Sequence, residues 1–173
     1  MTELKMSKET FEKLFPLVTR FSTKQTFLGD CWLVSALENL MDLPSGRAKI
    51  YQLFEQDGDT ITITVPFYKY VQMQNSDSKW YMIPKEIEPY KLSCNLDELT
   101  KYGHNKHLNG CLGLQLLENL YTIAKDGGDK KELSHNDVLD LLRNPEKMEV
   151  LIGGYSYIPI NNIIGCTEEI FDL

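Results

Sequence analysis

The period of the apolar residues changes twice along this chain, and those changes limit what it can become. Leu33, Val34, Leu37, Leu40 and Met41 recur at the spacing of one face of an α-helix, as do Leu112, Leu116, Leu117, Leu120 and Ile123. Between them Ile61, Ile63 and Val65 alternate with Thr60, Thr62 and Thr64, the two-residue period of a strand with one buried face. A helical pattern does not settle as a strand, nor the reverse. The chain is therefore expected to be α+β, with the helix that follows Cys31 at its centre and a small antiparallel sheet at its side.

Local signals place the boundaries. Ser7, with Thr10 and Glu12 after it, opens a short helix that Pro16 ends. The Cys31 helix stops near Asp42, because Leu43-Pro44-Ser45-Gly46 is dense in breakers. Ala48 to Phe67 reads as two strands around Asp57-Gly58-Asp59, with further strands at Tyr68 to Met73 and Lys79 to Ile83. Pro84 to Asn109 reads as irregular. Leu112 to Lys125 is a helix closed by Gly127-Gly128, and Ser134 to Leu142 is a capped helix ahead of Asn144-Pro145. The expected organisation is a single domain over 1–173: N-terminal helix and linker at 1–24, the Cys31 helix at 25–43, the sheet at 48–83 and a helical part at 112–157.

At 173 residues such a domain buries a sizeable core without staples. A net charge of −7 supplies no basic stripe to displace counterions from phosphates, so nucleic acid is not an expected partner. No apolar run approaches the roughly 20 residues of a membrane span, and the first residues mix acidic and basic side chains where a secretory signal needs an apolar core. Cys31, Cys94, Cys111 and Cys166 are widely spaced, which fits reduced thiols in the cytoplasm better than a disulfide framework.

Cys31 is the residue with chemistry written around it. Gly29 and Asp30 precede it and a helical pattern follows, so it falls in the first turn, where Asp30 can cap the exposed amides. The positive end of a helix dipole lowers a cysteine pKa from its free value of about 8.5, and the thiolate is the nucleophile. The competing reading is a cysteine simply buried in an amphipathic helix, since free cysteine is among the most buried residue types.

Gln25, Leu28, Gly29, Asp30, Cys31 and Trp32 resemble the QGxLGDCW active-site motif of the calpain family of cysteine proteases, with Thr26 where the family has glycine. Leu116-Leu117-Glu118-Asn119-Leu120-Tyr121 is similar to the family's LLEKAY segment, and Gly153-Gly154 to the glycine pair that closes the first subdomain. The resemblance covers the cysteine-bearing half of a papain-like, calpain-type catalytic core. It implies that Cys31 is the nucleophile of peptide-bond hydrolysis, and that Gln25 with the Cys31 amide forms the oxyanion hole.

A second subdomain would supply the catalytic histidine and asparagine. None of His104, His107 and His135 stands in the family's Gly-His-Ala-Tyr setting, and the Asn-Pro-Trp segment is absent. The expected partners are thus a polypeptide substrate and that subdomain, the alternative being a catalytically inactive interaction or regulatory domain.

Calcium is the cofactor the resemblance brings, with Glu118 matching one ligand. The stretch before Gln25, VTRFSTK, carries Ser22 where an aspartate is expected and no carboxylate, so the set is incomplete and Glu118 equally reads as a solvated helix residue. Cys94, His104, His107 and Cys111 could enclose a tetrahedral zinc, or be surface histidines and half-buried thiols.

Overall fold

Ser7 accepts the Thr10 amide on its side chain and so opens α1, Lys8–Leu14, which ends just before Pro16 as its sequence requires. The computed structural model describes residues 4–16, 31–99, 111–127 and 132–144, together with positions 159, 162 and 163. Within these, α1 is followed by α2 (Cys31–Met41), α3 (Pro44–Tyr51), β1 (Phe54–Asp57), β2 (Thr60–Gln74) and β3 (Trp80–Asn95). Then come α4 (Leu96–Leu99), α5 (Leu112–Gly127), β4 (Glu132–Leu133) and α6 (His135–Arg143). The protein mixes helix and sheet, as the two apolar periods require.

The strands lie in the order β1-β2-β3-β4. β1 and β3 pair antiparallel to β2, but β4 joins β3 in parallel, so the sheet is mixed where an antiparallel one was expected. Ile61, Ile63 and Val65 of β2 point with Tyr90, Leu92 and Cys94 of β3 into the core, while the threonines between them face outward. Before α1 the chain lies along β1: Lys5 bridges Glu55, and the Gln56 amide donates to the Lys5 carbonyl at 2.9 Å.

Three boundaries differ from the sequence reading, each for a physical reason. Pro44 does not break the chain but starts α3, because proline at the first helical position gives up only an amide that has no partner there anyway. Residues 48–51, read as strand, belong to that helix. β2 and β3 are each one long strand, continuing through Pro66, Pro84 and Pro89 into the region read as irregular. Pro66 and Pro89 stand opposite one another in the register, so the missing donors coincide in one rung of the ladder. A bulge follows, since Lys69 pairs with Glu86 but Tyr70 with Pro84, leaving Lys85 as the extra residue.

The centre of the protein is α5 and not the Cys31 helix. Every residue from Cys111 to Thr122 is buried, and α5 packs against α1, α2, α6 and β3. α2, by contrast, leaves Ser35 and Asn39 exposed. Around the start of α5, Phe11, Phe15, Tyr51 and Phe54 form an aromatic cluster, with Phe15 edge-on to Tyr51 at 4.8 Å and to Phe54 at 5.1 Å. Phe15 also lies flush on Gly113, where a Cβ would come within 2.5 Å of the ring.

Candidate active site

α2 begins at Cys31 and buries Leu33, Val34, Ala36, Leu37, Leu40 and Met41, the face its spacing predicts. Burial of that stripe, at about 25 cal/mol per Å² of apolar surface, fixes the rotation of the helix about its axis. Its far end is clamped by α3. Gly46 approaches the Leu40 backbone so closely that a Cβ would lie 2.2 Å from the carbonyl oxygen. Arg47 donates from Nη1 to the Met41 carbonyl at 3.1 Å, placing a cation at the negative end of the helix. Cys31 therefore belongs to a helix that is held on its face by α5 and at its C-terminus by α3. Gln25, Gly29 and Asp30 lie outside the described residues, and Cys31 and Trp32 are placed by their backbone alone.

Cys94 and Cys111 have a different character. Cys94 is 2% exposed in β3 and donates its thiol to the Ile61 carbonyl at 3.7 Å; Cys111 is 4% exposed and donates to the Leu14 carbonyl at 3.4 Å. Burial pushes the Cys94 thiol up to about 12 and the Cys111 thiol up to about 11, the latter despite the Leu114 and Gly113 amides that favour its thiolate. Both are inert near neutral pH, since reaction needs the thiolate.

These two are also the cysteines of the zinc alternative. They are fully buried and not half-buried, Cys94 lies within a strand and not in an irregular segment, and each thiol is committed to a main-chain carbonyl. His104 and His107 lie outside the described residues. Among the described residues no three histidine, cysteine, aspartate or glutamate side chains gather closely enough to hold a metal ion.

His135, the first residue of α6, is occupied on both sides. Its Nδ1 accepts the Asn95 amide at 3.2 Å and its Nε2 faces Glu98 Oε2 at 2.5 Å, while Asn95 Oδ1 accepts the Glu98 amide at 3.2 Å. A main-chain N–H can only donate, so Nδ1 is the acceptor nitrogen and Nε2 carries the proton toward the carboxylate. This ring of three bonds clasps the end of β3 and α4 to α6. It leaves His135 without a nitrogen for a thiol.

Glu118 is not the solvated residue that one sequence reading allowed. It is 1% exposed, in a stripe with Gln115, Asn119 and Thr122 that recurs at helical spacing and is buried along its length. Thr122 donates from Oγ1 to the Glu118 carbonyl at 2.9 Å, and Glu118 is itself engaged within the protein. Nearby Asn162 donates to the Tyr121 hydroxyl at 2.9 Å in a buried contact between α5 and a residue 41 positions on. The sequence carried the signal, polar residues at i, i+3, i+4 and i+7, but the same pattern describes an outward face as readily as an inward one.

No family model, no curated protein and no solved structure matches this chain.

Proposed function

We propose that this chain is the cysteine-bearing half of a calpain-like, papain-fold cysteine endopeptidase. The observation that supports the reading is that Cys31 stands at the N-terminal end of the described part of α2, a helix anchored along its apolar face. There the unpaired amides and the dipole favour a thiolate, whereas Cys94 and Cys111 sit where burial opposes one.

In the assembled enzyme a histidine from a second subdomain takes the Cys31 proton, and an asparagine orients it. The thiolate attacks the carbonyl carbon of a peptide bond in a polypeptide substrate, and the electron pair of the C=O moves onto oxygen. The Gln25 side-chain amide and the Cys31 main-chain amide donate to that oxyanion. Its collapse expels the amine, which takes the proton from the imidazolium and leaves an acyl-thioester that water hydrolyses. Positional base assistance is worth about a hundredfold to ten-thousandfold, so the half by itself is expected to be nearly inactive.

The second reading is an inactive interaction or regulatory domain, which needs no base for Cys31; among the described residues the one histidine, His135, is committed to Glu98 and Asn95. Adding a histidine-bearing second half in trans separates the two. The protease reading predicts a gain in peptide hydrolysis that Cys31→Ala abolishes. An equal background rate with and without the second half would leave the interaction domain.

A further inference from the structure

β2 and β3 extend well past their neighbours. β1 pairs with Thr60–Ile63 and β4 with Lys91–Leu92, whereas β2 and β3 go on pairing with each other as far as Gln74 and Trp80. Residues 68–74 and 80–87 thus form a two-stranded arm, and at its outer end Gln72, Met73 and Gln74 are exposed, so both faces are open there. Two strands alone are marginal in water, and further strand pairing is what stabilises such a ribbon.

The two edges of the arm are not alike. Thr64 donates its amide to the Leu53 carbonyl at 3.1 Å, on the β1 side. Main-chain groups alternate sides along a strand, and the bulge at Lys85 leaves β2 itself uninterrupted. Tyr68, Tyr70, Gln72 and Gln74 therefore turn their N–H and C=O groups to the side on which β1 has ended. On β3, Pro84 and Pro89 stand opposite the outward positions Tyr70 and Pro66, so each lacks a donor on the outer edge, and Lys85 bulges between them. These are the devices that stop edge pairing. β2 from Tyr68 to Gln74 contains neither proline nor bulge.

We propose that this edge of β2 pairs antiparallel with the same edge of a second copy, about a two-fold axis at Val71, joining two ribbons into a four-stranded sheet. A two-fold axis lets one patch serve on both sides. Charge favours a copy meeting there: residues 68–87 hold Lys69, Lys79 and Lys85 against Asp77 and Glu86, a net +1 on a chain of −7. The arms are thus where two copies meet with the least repulsion between their acidic bodies. The register centred on Val71 uses every outward group between Pro66 and the turn, Tyr68 with Gln74 of the second copy and Tyr70 with Gln72. It also sets Lys69 opposite Met73, so no like charges face each other.

Sedimentation equilibrium from about 1 µM to about 1 mM, the range of small transient interfaces, tests this. A reversible monomer–dimer equilibrium is expected. Gln72→Pro removes one outward donor and no bond of the β2–β3 ladder, so it is expected to keep the thermal midpoint and lose the dimer. Met73→Glu sets a carboxylate opposite Lys69 of the second copy, and Met73→Lys sets a like charge there. With two such pairs in each dimer, the dissociation constant is expected to fall and to rise, respectively, by about twofold to thirtyfold. A chain monomeric throughout overturns the proposal and leaves the edge to a strand of another protein. A dimer that Gln72→Pro leaves intact, or on which the two Met73 variants act alike, also overturns it. Should Gln72→Pro fail to fold, the Met73 pair decides, because Met73 is 44% exposed and its replacement disturbs no core.

Discussion

Gly46 of α3 lies so close to Leu40 of α2 that a single added carbon would sit 2.2 Å from the Leu40 carbonyl oxygen. The obstacle is main chain, which cannot swing aside as a long side chain can. Gly46→Ala is therefore expected to separate the two helices and to cost about 1 to 3 kcal/mol, the range for overpacking. Urea unfolding checks this: the midpoint falls while the slope is kept.

Gln25→Ala removes one proposed oxyanion donor and leaves the nucleophile. In the enzyme reconstituted with its second half, kcat is expected to fall about a hundredfold to a thousandfold, with alkylation of Cys31 unchanged. Equal kcat values would remove Gln25 from the chemistry.

The buried thiols predict loss of stability in alkali. Cys94 and Cys111 both have folded values raised above 9.0, so their contribution is fully present below about pH 9 and is lost as pH rises toward 11 and 12. In that window each thiol is expected to remove about 1.4 kcal/mol per pH unit. Cys94→Ala should flatten the upper part of the curve, measured by denaturant unfolding between pH 8 and 11.

His135→Ala opens the clasp among Asn95, Glu98 and α6. Glu98 is 56% exposed, so its share is small, and the total cost is expected near 1 kcal/mol, or about 2 to 4 °C in thermal midpoint. Faster amide exchange at Asn95 would place the loss at the bond that Nδ1 accepts.

Much of this architecture could be read from the residues. Ser7 and Ser134 announced their helices because side-chain capping is local, and Ser134 indeed forms a capping box with Asp137. Ile61, Ile63 and Val65 announced β2 because alternation needs no long-range information. What could not be read depended on partners. Pro44, Pro66, Pro84 and Pro89 each look like punctuation until a neighbouring strand or a helix start shows that no amide was needed there. The parallel strand β4 is two residues long and exists only through Lys91 and Leu92 of β3. The central place of α5 followed from neighbours on all sides, which an apolar stripe cannot reveal. For the site, the α2 helix was legible from the apolar spacing of Leu33, Val34, Leu37, Leu40 and Met41, while the burial of Glu118 and the double commitment of His135 came only from the fold.

The most direct measurement is the rate of alkylation by iodoacetamide at each of the four cysteines, followed by mass spectrometry from pH 5 to 9. The account predicts that Cys31 reacts far faster than Cys94 and Cys111 and keeps reacting below pH 7, where an ordinary thiol is protonated. Uniformly slow labelling, with Cys31 gaining reactivity only near its free pKa of about 8.5, would contradict it.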